Sequence, residues 1–316
     1  VGCQDGGVTN ELPEGWSFRP TRDEDAADLL ALVHASDMTA VGFADFAPED
    51  VAEALAGPYS TVAVTAAGAI AGWGYLENPG EAPRDFLEVY VHPEGGRPAM
   101  RPLLARMLAE TERRARERGG EGTVRAGAIP VETYWIESLT AAGFDFVKQY
   151  ARMQLDLPAS ALDPVPGVTV RPVTEADMPE FFDVLDAAFR DTPDYQPTGY
   201  DRWRERFLDG HRVRLDEWFV AEVDGVMAGI LQSSEQSEAV NEGWVKHLAV
   251  RAEFRKRGVG RALLAAAFAR YLDNGRVSAG LGVDLANPTE AIRLYTGVGM
   301  RAAYQANIYE RPALPS

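Results

Sequence analysis

The sequence predicts a mixed α/β protein made of two tandem copies of one domain, each with helices covering a twisted sheet. Three observations carry this. The chain has 316 residues, about twice the usual single-domain length. Segments of the first half recur in the second: Ser17-Phe18-Arg19-Pro20 with Asp25 as Thr169-Val170-Arg171-Pro172 with Asp177, and Val62 to Gly72 as Phe219 to Gly229. The offset drifts only from 152 (Ser17 to Thr169) to 157 (Val62 to Phe219), as loops of unequal length would produce. Finally, apolar strand-like runs alternate with helical periodicity throughout.

In order, each half reads as a strand, one or two helices, a three-strand meander, a long helix, a strand, a shorter helix and closing strands. In the second half these fall near 168–172, 174–190, 199–209, 217–223, 226–232, 243–250, 258–272, 278–283, 288–298 and 300–310. Glycine turns such as Asp224-Gly225 join the meander strands. Pro158 to Gly167 holds three prolines and a glycine, which continue neither helix nor central strand. The division expected is therefore a flexible leader at 1–14, a first domain at 15–157, a linker at 158–167 and a second domain at 168–316.

Composition excludes several classes. A hydrophobic fraction of 46% and a charged fraction of 25% are those of a globular protein, not a disordered or collagen-like one. Lys+Arg 31 against Asp+Glu 48 gives −17, so the overall field repels nucleic acid and anionic lipid. Cys3 is the single cysteine, which allows no intrachain disulfide or cysteine metal cage and fits a reduced, cytoplasmic setting. No apolar run suits a membrane span or signal peptide. His34, His92, His211 and His247 show no metal spacing, and no Gly-x-Ser-x-Gly elbow occurs. No metal is expected.

The chemistry concentrates between Trp244 and Leu264. An apolar strand, Val245 to Val250, runs into Arg255-Lys256-Arg257-Gly258-Val259-Gly260-Arg261, and a helical pattern opens directly behind. Unsatisfied N–H groups and the positive dipole end make a helix start an anion site, and glycines let a phosphate reach the backbone. Arg251, Arg255, Lys256, Arg257 and Arg261 oppose only Glu253 here. The plain alternative is a solvated basic helix start.

This segment resembles the acetyl-CoA-binding motif of the GCN5-related N-acetyltransferase (GNAT) superfamily, Arg/Gln-x-x-Gly-x-Gly/Ala between strand and helix. A second family element is similar to Asn287-Pro288-Thr289-Glu290-Ala291 through Tyr295 to Gly299-Met300. The tandem layout is similar to mycothiol synthase and its actinobacterial relatives. The resemblance implies a mostly antiparallel sheet in each copy, with a central parallel strand pair splayed to hold coenzyme A. It implies acetyl-CoA as cosubstrate, bound by Leu248, Ala249, Val250, Arg255, Lys256, Arg257, Gly258, Val259, Gly260, Arg261 and Asn287, with Tyr295 as cofactor contact and general acid. An N–H of Ala249 or Val250 would polarise the thioester carbonyl. The alternative for Tyr295 is a core tyrosine.

The expected general base departs from the family. Six residues before Val250 the family carries a glutamate; here stands Trp244. Glu242 lies on the same strand face and could act through a water, whereas His247 points to the other face unless a bulge intervenes. Glu235, Glu238 and Glu242 form an acidic approach that suits a cationic amine or is a plain polar loop. In the first half the signature glycines become Pro98 and Met100, Pro102 removes another N–H donor, and Leu139 stands where Tyr295 does. That half is expected to be a non-catalytic partner helping to close the acceptor cleft.

Together these imply an acyltransferase that acetylates a primary amine of a small metabolite by direct attack on the thioester, without nucleic-acid or membrane partners, as monomer or homodimer. The alternatives are a coenzyme A-binding regulatory protein without turnover and a related enzyme using another acyl group.

Overall fold

The computed structural model describes residues 10–44, 46–78, 83–160, 162–190, 195, 198–208, 213–235, 240–286 and 291–314. Cys3, His211 and Glu238, like Asn287, lie outside them. The chain forms two compact units, residues 1–150 with 304–316, and residues 151–303.

The first unit opens with β1 (Ser17–Pro20), α1 (Ala26–Ala40) and α2 (Pro48–Ala56). The meander β2 (Tyr59–Val64), β3 (Ile70–Glu77) and β4 (Arg84–Val91) comes next, then α3 (Met100–Glu117), β5 (Thr123–Ala128), α4 (Thr133–Ala141) and β6 (Asp145–Asp156). The second unit repeats the order: β7 (Thr169–Pro172), α5 (Met178–Phe189), α6 (Tyr200–Phe207), β8 (Phe219–Val223), β9 (Val226–Ser234), β10 (Glu242–Val250), α7 (Val259–Asp273), β11 (Ser278–Asp284), α8 (Ala291–Gly297) and β12 (Arg301–Pro312).

The strand order β1-β2-β3-β4-β5 in one unit matches β7-β8-β9-β10-β11 in the other. All of these neighbours are antiparallel except the central pairs β4/β5 and β10/β11, which are parallel. A parallel neighbour needs a crossover, and the long helices α3 and α7 supply it. Each sheet buries both faces. In the first unit α3 covers one face with Leu103, Leu104 and Met107, and α1 and α2 cover the other over Trp73 and Tyr75. In the second, α7 packs Leu263, Leu264, Ala267 and Tyr271 on one face, while α5 and α6 pack Phe181, Phe182 and Trp203 on the other.

The repeated opening motif has a physical reason. Arg19 clamps Asp25 through two bonds of 2.7 and 2.8 Å, and Arg171 clamps Asp177 at the same two distances. Each aspartate also accepts a backbone N–H at the turn, from Arg22 at 2.8 Å and Thr174 at 2.7 Å. Strand end and helix start are thereby locked by one bidentate, charge-assisted pair.

The units divide inside β6 and β12, not at 158–167. The halves of each strand are buried in different units. Ala151 and Met153 of β6 join the core of the second, while Asn307–Pro312 of β12 pair with Ala128–Thr123 of β5 in the first. Sequence similarity between copies marks each closing strand but carries no sign of which core receives its apolar face.

Candidate active site

The parallel pairing of β10 with β11 runs only from Glu242↔Ser278 to Trp244↔Gly280, although β10 continues to Val250 and β11 to Asp284. Beyond Trp244 the two strands part, and the β11-facing edge of β10 is open. On its other edge β10 stays paired with β9 through Val250↔Gly229. The N–H of Arg251 bonds Ala228 at 3.0 Å, so backbone alternation turns Val250 and Leu248 toward the open edge and Ala249 toward β9. Val250 is thus the better placed of the two expected carbonyl donors.

Directly behind lies the basic turn. Lys256 and Gly258 adopt φ of +60° and +82°, left-handed values that glycine takes without a Cβ penalty. Gly258 precedes α7 without a side-chain cap. Among the described residues the N–H groups of Val259, Gly260 and Arg261 find no acceptor; the first α7-capping bond is Ala262 N–H to Gly258 at 3.0 Å. Arg255, Lys256 and Arg257 are exposed, and Arg261 Nε is sealed without a partner. These donors fit a pyrophosphate. Arg251 is engaged elsewhere, on the Met227 carbonyl at 2.9 Å and Glu180 at 3.4 Å. A Cβ on Gly258 would stand 2.7 Å from Val165 Cγ1, and one on Gly260 2.9 Å from Leu294 Cδ2. The second glycine therefore also lets α8 approach α7.

Tyr295, beside Leu294 in α8, is buried against the α7 side of the core. Burial pushes its hydroxyl up to about 12, so the phenol keeps its proton at neutral pH. The helix closes with Met300 N–H on the Tyr295 carbonyl at 3.0 Å and Gly299 at φ +95°.

Glu242 sits at the far end of β10. Its carboxylate is sealed, bonded by Arg152 Nη2 at 2.8 Å, Gln154 Nε2 at 3.1 Å and Ser278 Oγ at 3.2 Å. Val250 is eight positions away (250 − 242), about 26 Å along a strand. The pairing of β10 with β9 slips between Val245 and His247, and the extra residue, Lys246, reverses the alternation beyond it. His247 consequently shares the face of Trp244, within the open stretch. Its Nδ1 lies 2.8 Å from Gln232 Oε1, and its ring meets Phe189 and Phe207 edge-on at 5.5 and 6.0 Å. Trp244 lies over the Arg152 guanidinium at 5.1 Å.

The first unit parts its strands in the same way, with β4/β5 pairing ending at Leu87↔Ala126. Its helix start is different. Arg97 stacks on Tyr134 at 3.9 Å, Arg101 bonds Ser138 Oγ at 3.0 Å, and the N–H of Ala99 is taken by Gly96 at 2.9 Å. Pro98 and Pro102 offer none. Leu139 is fully buried, and Phe144 N–H caps its carbonyl at 3.1 Å as Met300 caps Tyr295.

A strand pair opening onto an uncapped helix start with a left-handed glycine is the arrangement expected of an acyl-CoA site. Residues 178–300 match the acetyltransferase (GNAT) family. GNAT-type solved structures also resemble the chain over nearly its whole length. A GCN5-related N-acetyltransferase from Sphaerobacter thermophilus is 22% identical with a TM-score of 0.82, covering 97% of this chain and 98% of that one. A tandem GNAT protein of the clavulanic acid biosynthesis pathway is 18% identical with a TM-score of 0.69, covering 95% and 99%. At these identities the likeness is one of fold. No curated protein matches the chain. Among the described residues no group of three or more His, Cys, Asp or Glu could hold a metal ion, and no helix is long and apolar enough to cross a membrane.

Proposed function

We propose that the chain is an acetyl-CoA-dependent N-acetyltransferase whose second unit acetylates a primary amine of a small metabolite. The observation that carries this is the parting of β10 from β11 directly ahead of the uncapped, left-handed start of α7. Acetyl-CoA supplies an acetyl group activated as a thioester. The N–H groups of Val259, Gly260 and Arg261, with the exposed side chains of Arg255, Lys256 and Arg257, hold the phosphates. The Val250 N–H, on the open edge, donates to the thioester carbonyl and stabilises the charge that grows there.

His247 takes the proton that the amine releases as its N–C bond forms, and Gln232 fixes the imidazole orientation. Tyr295 donates its phenolic proton toward the sulfur as the C–S bond breaks. The two groups approach from opposite faces of the sheet, His247 from the α5 and α6 side and Tyr295 from the α7 side. Glu242 has its charge matched by Arg152 and serves the fold in this reading. A mycothiol-synthase-like acceptor is a narrower form of the same reading, and Trp244 in place of the family's glutamate counts against it.

The test is acceptor-dependent release of free thiol from acetyl-CoA across a panel of small primary amines. Release with at least one amine, lost in His247→Ala, supports the assignment. Tight coenzyme A binding with no release for any amine refutes it in favour of a coenzyme A-binding regulatory protein.

A further inference from the structure

The described strands of the second unit contain four glycines, Gly229, Gly243, Gly280 and Gly282. A glycine inside a strand weakens it, so each asks for a reason: an unusual backbone angle, a close neighbour or an approaching ligand. Three have a close neighbour. A Cβ on Gly229 would stand 2.9 Å from the Ala249 carbonyl oxygen, one on Gly280 2.6 Å from Glu242 Oε2, and one on Gly243 would run into the Tyr271 ring. Gly282 has no such reason. Among the described residues a Cβ there would meet nothing within 4 Å. Its φ is not left-handed, and it is exposed between buried Leu281 and Val283.

Its place on the sheet says what the room is for. Leu281 and Val283 pack in the core under α7, so Gly280 and Gly282 face the other side, that of α5 and α6. Gly280 is the last β11 residue paired with β10, opposite Trp244. Two positions further β11 presents Gly282. On β10 the same two steps, with Lys246 taken up by the bulge, lead to His247. Ala249, two residues on, lies in the core under α5 and α6, which fixes the face of His247 independently. Bare backbone at Gly282 therefore stands across the parted strands from the imidazole.

The other walls are rings. Phe189 and Phe207 meet the imidazole edge-on at 5.5 and 6.0 Å, and Tyr195 lies 6.2 Å from Phe189. Phe189 and Phe207 are only partly buried. A flat apolar body gains contact and a favourable ring geometry against such walls, and it needs a floor without a side chain. We propose that Gly282 is a specificity-determining position: its missing side chain admits a primary amine carrying an aromatic body, seated over Gly282 against Phe189 and Phe207. This rests on the acetyltransferase reading of the second unit and narrows its acceptor class.

Thiol release from acetyl-CoA by the full chain tests this with 2-phenylethylamine and ethylamine, which differ by the ring. The parent is expected to favour 2-phenylethylamine at least tenfold in kcat/KM. Gly282→Val is expected to lower that preference at least tenfold, through KM. Its acetyl-CoA affinity is expected to stay within twofold and its melting temperature not to fall, because a β-branched residue suits a strand where space is open. Gly282→Ala is expected to lower the preference several-fold and carries the test if Gly282→Val fails to fold. The proposal is overturned if the parent shows no preference, if both variants keep it, or if acetyl-CoA affinity falls tenfold in Gly282→Val, which would give the position to the cofactor. Transfer to amines without preference for the ring overturns this inference alone and leaves the acetyltransferase reading standing; no transfer to any amine overturns both.

Discussion

Removing Arg152 separates a structural from a catalytic Glu242. The two side chains are 6% and 0% exposed and 2.8 Å apart. Arg152→Ala leaves the carboxylate sealed with only two neutral donors, Gln154 and Ser278. A buried charge stranded in this way costs about 3–5 kcal/mol. For a unit the size of 151–303, each kcal/mol moves the melting temperature by about 2–4 °C, so a fall of roughly 6–20 °C is expected in a calorimetric scan. The double variant Arg152→Met with Glu242→Gln removes both charges at similar volume. It is expected to recover most of that loss, because a well-packed neutral pair often matches a buried ion pair. Turnover of Glu242→Gln, measured by thiol release where every variant is folded, is expected to stay within about threefold of the parent, since general-base loss costs about 10² to 10⁴. A hundredfold fall in turnover without a fall in melting temperature would refute the reasoning. Glu242 would then be the base acting through water, and Arg152 the group that holds it.

Tyr295→Phe removes only the hydroxyl, so turnover is expected to fall by about a hundredfold while calorimetric affinity for acetyl-CoA stays within twofold. Gly258→Ala forces a Cβ into a left-handed position 2.7 Å from Val165, with an expected stability loss of about 1–2 kcal/mol and acetyl-CoA affinity at least tenfold weaker; Gly95→Ala, at φ +85° with open space around it, strains its turn but is expected to leave that affinity unchanged. Coenzyme A is expected to titrate to one site per chain, and two equal sites would show that the first unit kept its phosphate cradle. Asp177 is held well below the usual carboxylate range, first by its hydrogen bond from Arg171, so its contribution to stability is complete above the unfolded pKa of about 3.9 and drains away as pH falls below it. Asp177→Asn is expected to flatten that part of an acid-unfolding curve, and an unaltered curve would show that the clamp contributes nothing.

The order of elements is legible in the sequence because alternation and helical periodicity are local properties. β10 at 242–250 and α7 at 259–273 fall within a residue of the expected 243–250 and 258–272. The turn at Gly258 is legible for the same reason, since a glycine between a strand and a helix marks a left-handed backbone. The bulge at Lys246 is not legible. Nothing in Val245-Lys246-His247 separates a bulged from a regular strand, because the slip is a property of how β10 meets β9. That one slip decides which face His247 occupies. The cavity where β4 and β5 part in the first unit is illegible for a related reason. Glu88 and Tyr90 are visible as alternate residues of a strand, but Asp37, in α1, and Glu132, just ahead of α4, reach them from segments far apart in sequence.

The two copies also show how a duplicated scaffold changes its chemistry. The closing turn is nearly identical in both: a glycine at φ +83° or +95°, and a backbone bond of 3.1 or 3.0 Å onto the carbonyl of Leu139 or Tyr295. The backbone is kept and the side chain replaced, phenol by alkyl. At the helix start the replacement runs deeper, because Pro98 and Pro102 delete donors that no side chain can restore. The strands still part, and a parted strand pair leaves a slot that must be filled by side chains, water or a ligand. In the second unit the slot lies ahead of the uncapped start of α7. In the first it is lined by carboxylates and aromatic rings.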